Sequence, residues 1–512
     1  MKTAIREIYE DWDIDAKKED ISRYYFQPSD LDQVLKGSRP IVVGRKGTGK
    51  TAMFEYIKTL SGPKCHVSAN SFTGLPITSL LEFRDEGMES GSDYISLWTF
   101  IILKELCKLV ARSESAKGLG LSEIRKIFPP FADSKLKSAF DGSSNFRVKI
   151  LEYLEISDEK TDKKVSLLEK NEALMSAVET IQDNSKYYIL FDSLDDNFQG
   201  AIDKAEGDIE KSKYYSCITG LIKSIENLTS HFSKIGLNIF PIAFISGDVF
   251  DLLKGRDKGK SRYSIKYLEW DEDELKSFIA YRLRKAARLP ERECPTFEDA
   301  WRIVFSDELI SVGNRQVHTF DYITTRTLFR PRDYITYIKD VCEVAHRRDF
   351  DVVRPGVVYY TESWYSEYFW QEMVDEVGPL VPPIDKILKI IEKIRKPSFE
   401  YNEFDEILDR YIDIKFLNEA ELLGLSSYRI LEILYNYSAI GNINKGSRIF
   451  KYRNPKSSFD FDLPIVVHRG LDVVLGINAR AEHQRRKSMR REQQWSNSQA
   501  SFDFTHIPFK YD

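Results

Sequence analysis

Eight consecutive residues, Gly44-Arg45-Lys46-Gly47-Thr48-Gly49-Lys50-Thr51, have the types and spacing to hold a triphosphate. The pattern is a glycine-rich loop closed by a lysine and a hydroxyl residue. Gly44, Gly47 and Gly49 let the backbone turn tightly and aim its N–H groups at phosphate oxygens. Lys50 would reach the β- and γ-phosphates, and the Thr51 hydroxyl would hold Mg²⁺. With Ala52 opening the helix that follows, Gly44 to Ala52 form the candidate nucleotide-binding segment.

A triphosphate also needs a metal-holding carboxylate and a group to orient water. Asp192 is the candidate for the first, as a second ligand beside Thr51. It ends the all-apolar run Tyr187-Tyr188-Ile189-Leu190-Phe191, and open α/β sheets bind ligands beyond such strand ends. The residue after it is Ser193, with Asp195 and Asp196 slightly later. Asp195 is the candidate water-positioning acid; a solvated turn explains it equally well. Ser246 and Asp248 end a second buried run, Leu237 to Ile245, where a polar group could sense the γ-phosphate or simply close a turn. Arg330-Pro331-Arg332-Asp333 precedes a helical pattern. Arg332, in preference to Arg330, is the candidate basic group reporting nucleotide state from a lid; a salt-bridged helix cap is the alternative. Arg282, Arg284 and Arg288 could each serve a neighbouring subunit, and nothing in the sequence selects among them. No H-E-x-x-H or G-x-S-x-G pattern offers a second catalytic module.

The elements that must position these residues are legible in outline. Pro40-Ile41-Val42-Val43 reads as the strand before the loop, and Ala52 to Leu60 as the helix after it. Lys64 to Ser68 reads as a short second strand. Buried runs alternating with amphipathic helices, at Tyr94–Arg112, Val165–Ile181 and Tyr214–Phe232, predict a parallel α/β sheet. Residues 1–36 read as a helical lead-in, 37–270 as the nucleotide core with a helical insertion at about 75–182, and 271–375 as a helical lid. From 376 to 478 three helices precede two β-like runs, Arg448–Tyr452 and Leu463–His468, joined at Asn454 to Ser458. That order predicts a winged helix. Residues 479–512 read as a flexible tail.

The net charge of −5 excludes a generally basic nucleic-acid binder, so any such contact must be local. Lys445, Arg448, Lys451, Arg453 and Lys456 on the predicted wing are candidates for DNA contact. So is the segment 480–491, with six basic residues opposed only by Glu482 within it and Glu492 directly after it. No apolar run of transmembrane length and no signal-peptide shape occurs. Five scattered cysteines without a C-x-x-C pair fit free thiols in a reducing compartment, so a cytoplasmic location without membrane contact is expected.

Five stretches carry a family resemblance: Gly44 to Thr51, Ile189 to Asp196, Tyr267-Leu268-Glu269-Trp270, Phe329 to Ile335, and Ile449-Phe450-Lys451-Tyr452 with Val467-His468. On these the chain resembles bacterial P-loop ATPases of the AAA/STAND-like assemblage with a C-terminal winged helix, often encoded in phage-defence or mobile-element loci. The resemblance implies an α/β P-loop ATPase core, a helical lid and a winged helix. It also implies that ATP and Mg²⁺ are coupled to a homo-oligomer or an effector-protein partner. It departs from its relatives at Ser246, where they often carry arginine, and at Ser193, where many such ATPases carry an acid. The expected function is an ATP-hydrolysing switch in antiphage defence. A DNA-binding ATPase akin to replication initiators and a non-hydrolysing nucleotide-bound scaffold are the alternatives.

Overall fold

The computed structural model describes residues 2–71, 91–128, 166–193, 208–253, 262–313 and 315–477. Asp195, Asp196, much of the expected insertion and the basic segment 480–491 lie outside the described residues. The chain forms two compact units, Gln27–Glu269 and a second made of the residues up to Phe26 together with those from Trp270 onward.

The first unit is built on five strands: β1 Ile41–Gly44, β2 Cys65–Ser71, β3 Lys186–Asp192, β4 Ile239–Ser246 and β5 Ile265–Tyr267. All are parallel, in the order β2-β3-β4-β1-β5. The α/β reading therefore holds. The three central strands, β1, β3 and β4, are apolar almost throughout because helices cover both faces. On one face Ile189, Phe191, Ala243 and Ile245 meet the helices Gly91–Arg112 and Asp208–Lys234. Trp98 packs edge-on to Phe191 at 5.7 Å, and its indole N–H donates to the Cys217 carbonyl at 3.0 Å. The two helices approach so closely that a side-chain carbon on Gly220 would stand 2.7 Å from that of Tyr94. On the other face the helix Lys50–Thr59 buries Met53, Phe54 and Ile57, with Phe54 against Phe244 at 5.8 Å. The insertion helix Leu167–Glu179 opens with a reciprocal cap between Ser166 and Glu169.

The second unit has one continuous core running from Ala4 to Ile477. The helix Lys2–Asp11 buries Ala4, Ile5 and Ile8 in that core. The expected lead-in is thus divided: its first 26 residues belong with the C-terminal half of the chain. The helices Glu272–Ala287, Pro331–Arg347 and Pro355–Val377 form the body. A hairpin of β6 Ile310–Val312 and β7 Arg315–Val317 interrupts the stretch expected to be helical throughout.

Beyond it come the helix Ile384–Ile394, β8 Ser398–Phe399, and the helices Tyr401–Asp413 and Ser427–Asn436. Then follow β9 Ile440–Asn444, β10 Ser447–Ile449 and β11 Ile465–Val467. The four strands form an antiparallel sheet ordered β10-β9-β11-β8. The strand pairing differs from the one expected. Its hairpin is β9–β10, turning at Lys445 and Gly446, both at positive φ, and β11 pairs with β9 and β8 rather than with β10. β9 reads Ile-Gly-Asn-Ile-Asn, and its glycine and asparagines hide it from a propensity reading.

Candidate phosphate-binding site

The loop between β1 and the helix Lys50–Thr59 folds as a cradle. Gly47 and Gly49 have φ of 81° and 103°, which only glycine adopts readily. A side-chain carbon on Gly49 would meet nothing within 4 Å, so the loop faces open space there. One on Gly44 would collide with the Thr48 hydroxyl at 2.5 Å. That hydroxyl donates to the Arg45 carbonyl at 2.8 Å and braces the turn. Lys50 lies along the loop, its Nζ donating to the carbonyls of Gly44 at 2.6 Å and Arg45 at 3.2 Å. The first helical turn, Lys50-Thr51-Ala52, directs its N–H groups and positive dipole end toward the cradle.

The sheet brings a carboxylate to this loop. Thr51 Oγ1 donates to Asp192 Oδ2 at 3.3 Å, across 141 residues of sequence. Asp192 is 2% exposed and also accepts from the Ser193 hydroxyl at 3.2 Å. A hydroxyl and a carboxylate beside a phosphate cradle are hard oxygen donors, the ligand set that suits Mg²⁺. β3 is not the neighbour of β1. β4 lies between them, and its last residue, Ser246, is in register with Gly44. Three strand ends thus converge: the loop from β1, Ser246 from β4 and Asp192 from β3.

The remaining candidates are placed as follows. Ser246 caps the short helix Gly247–Leu252, its hydroxyl accepting from the Asp248 N–H at 3.3 Å. Ser193 has φ of 59°, an uncommon left-handed conformation for serine, and turns the chain immediately after Asp192. Nothing in the sequence signalled that turn. Arg330 and Arg332 belong to the second unit. Arg330 is buried and grips Glu376 with two hydrogen bonds, at 2.6 and 3.1 Å. Arg332 is half-buried. Asp333 accepts from the Leu328 N–H at 2.8 Å, and burial pushes its carboxyl up to about 7 despite the nearby Arg330.

Each of the three arginines considered for a neighbouring subunit is engaged inside its own unit. Arg282 is 2% exposed, is ion-paired with Glu19 and lies over the rings of Trp12 and Tyr24. Arg284 donates to the Cys294 carbonyl at 3.1 Å, and Arg288 pairs with Glu7 at 2.6 Å. Four of the five cysteines are buried, Cys65 partly so, and all are free thiols. No cluster of metal-ligating side chains and no helix long and apolar enough to cross a membrane occurs among the described residues.

Comparison with known proteins gives three findings. Residues 273–374 match the family model of the FunZ-associated C-terminal helical domain. Over 505 residues the chain is 22% identical to the transposon gamma-delta 80.3 kDa protein of Escherichia coli (strain K12). That match covers 91% of this chain and 66% of the relative, so the chain spans just under two thirds of the relative's length. Among solved structures, Cdc6p from Pyrobaculum aerophilum superposes at 11% identity and a TM-score of 0.29, covering 89% of this chain and 91% of that one. The Aeropyrum pernix ORC2 protein, solved in ADPNP–ADP complexes, does so at 12% identity and a TM-score of 0.35, covering 90% and 92%. Both scores are below one half; the P-loop architecture rests on this chain's own loop and strand order.

Proposed function

We propose that this chain is an ATP-dependent molecular switch that binds ATP with Mg²⁺ and hydrolyses it. The observation that carries the reading is the 3.3 Å contact between Thr51 and Asp192 beneath a glycine loop that opens onto free space. The loop N–H groups and Lys50 hold the β- and γ-phosphates, which requires Lys50 to exchange its loop carbonyls for phosphate oxygens. Thr51 and Asp192 hold the metal, which supplies charge neutralisation at the transferring phosphate. Ser246, which caps the helix Gly247–Leu252, is the proposed reporter of the γ-phosphate. Asp195 is the proposed water-positioning acid and Arg332 the proposed reporter in the lid. The nucleotide state is read out by assembly of a homo-oligomer or by an effector protein docking on the winged helix. The family resemblance supports a setting in antiphage defence, and the name of the Escherichia coli relative fits a mobile-element setting. The test is ATP affinity and turnover of the full chain against Lys50→Ala; equal affinity in the two proteins rejects the reading.

One observation favours a second reading. Ser193 replaces the acid that follows the metal aspartate in many ATPases, and its hydroxyl is turned onto Asp192. A nucleotide-bound scaffold that does not hydrolyse ATP follows from that arrangement. Tight Mg²⁺-dependent ATP binding without turnover distinguishes it.

A further inference from the structure

Two aromatic rings stand out into solvent where the helix Ser427–Asn436 begins. Phe461 is 50% exposed and Tyr428 38%. Their ring centroids are 5.9 Å apart, edge to face, and Tyr401 lies 6.1 Å from Phe461. Beneath them the buried Phe459 packs at 5.8 Å from Tyr428 and from Tyr435, so the exposed rings continue the core outward. The turn that carries Phe461 is braced. The Asp460 N–H donates to Asn442 Oδ1 at 3.1 Å, and Asn442 Nδ2 donates to the Asp460 carbonyl at 2.8 Å. The Asp462 N–H donates to Asp460 Oδ1 at 3.0 Å. Phe461 is therefore held out in water by a fixed backbone, and packing alone gives no reason to display it.

The rim of this patch is acidic. Asp460 and Asp462 flank Phe461 in the chain, and both are exposed. The Ser427 hydroxyl, next to Tyr428, donates to Asp405, and exposed Asp409 follows one turn later on the same helix. The helix Tyr401–Asp413 carries a single basic residue, Arg410, among its acidic ones. On the helix Ser427–Asn436 the one basic residue, Arg429, is ion-paired with Glu432. Such a face repels a phosphate backbone. It suits a cationic partner that also brings apolar surface.

We propose that this face binds the chain's own segment 480–495. The segment brings both kinds of group: Arg485-Arg486-Lys487 and Arg490-Arg491 for the carboxylates, then Trp495 for the rings. Guanidinium groups and indole rings both pack favourably on aromatic faces. Trp495 lies 18 residues beyond Ile477, the last described residue, which is buried in the same core as Phe459. Eighteen extended residues span roughly 60 Å, and a domain of about 100 residues has a radius of gyration of only about 13 Å. Every face of the domain is therefore within reach. Tethering keeps the segment at an effective concentration of about millimolar, so modest contacts suffice. Bound in this way, the basic segment and the start of the helix Ser427–Asn436 occlude each other from outside partners. The inference does not depend on the ATP reading.

The test is photo-crosslinking of the full chain with p-benzoylphenylalanine in place of Phe461, the product being mapped by mass spectrometry. A link from position 461 to residues 480–495 of the same molecule is expected. Combining Arg485→Glu, Arg486→Glu and Lys487→Glu should reduce its yield about fivefold at low salt. The same photoreactive residue in place of Tyr428 gives a second, independent probe, and melting curves check that each variant is folded. Links from both positions only to other parts of the chain, no link at all, or a yield unchanged by the charge reversals overturn the proposal. Links between two molecules also overturn it, in favour of a surface joining copies of the chain.

Discussion

Thr51 and Asp192 stand 3.3 Å apart, hydroxyl to carboxylate, although 141 residues separate them in the chain. The contact joins the helix after the glycine loop to the end of β3. If these two oxygens hold Mg²⁺, removing either should reduce affinity only when the metal is present. We expect Thr51→Ala and Asp192→Asn to bind ATP at least about tenfold more weakly than the parent in Mg²⁺, and about equally in EDTA, since one hard ligand contributes on the order of 1.4 kcal/mol or more. Titration calorimetry under both conditions checks this. A loss of the same size in EDTA would assign the pair a purely structural role.

Arg282 makes the opposite kind of pair. Its side chain and that of Glu19 are 2% and 5% exposed, and a second hydrogen bond between them is 2.9 Å long. Removing one partner leaves a buried charge uncompensated. Glu19→Gln should therefore cost about 3–5 kcal/mol of stability. Chemical denaturation measures that loss. A folded, equally stable variant that lost only ATP turnover would instead return Arg282 to a role between subunits.

Close helix packing gives a third prediction. Gly220→Ala pushes a methyl carbon to 2.7 Å from Tyr94 Cβ and 3.0 Å from its backbone carbonyl carbon. The helices Gly91–Arg112 and Asp208–Lys234 must then separate, at about 1–3 kcal/mol. A lower melting temperature with unchanged secondary structure is expected; an unchanged one would mean the helices slide apart freely.

Acid stability offers a fourth. Burial, helped by Arg453, Arg448, Arg469 and Arg326, depresses His468 from 6.5 to about 3 in the folded protein. Below pH 6.5 the unfolded chain takes up a proton here that the folded chain refuses, so this group removes stability as pH falls toward 3. Asp333 works in the other direction. Raised from 3.8 to about 7, it holds a proton when folded and releases it when unfolded, so it adds stability as pH falls from 7 to 3.8. Between pH 6.5 and 4 the two contributions oppose each other. His468→Asn, which can still accept from Gly470, should become more acid-tolerant relative to the parent by about 1.4 kcal/mol per pH unit over that window at most. Melting curves from pH 7 to 4 report the difference, in which other titrating groups cancel.

The parts of the molecule visible in the sequence are those whose chemistry fixes residue types locally. Phosphate binding needs glycines and a lysine at set distances, and a buried parallel strand needs an unbroken apolar run. The loop, β1, β3, β4 and Asp192 were all readable for that reason. What was hidden depends on partners distant in the chain or on weak local signals. The face of Lys2–Asp11 announces burial, but its spacing does not say against what. Arg282 looks like a surface residue until Glu19, 263 positions away, is brought beside it. The hairpin β6–β7 carries Ser, Arg and Gln, and β9 carries Gly and Asn, so neither resembles a strand by composition. The left-handed turn at Ser193 has no sequence signature, yet it sets the course of the chain just past Asp192.

The most direct test of the account is equilibrium binding of ATP to the purified full chain in the presence of Mg²⁺, with Lys50→Ala measured alongside. The account predicts saturable binding by the parent and a loss of at least about tenfold, some 1.4 kcal/mol, in the variant, because Lys50 would no longer meet the β- and γ-phosphates. Equal affinity for the parent and Lys50→Ala, or no ATP binding by the parent, would contradict it.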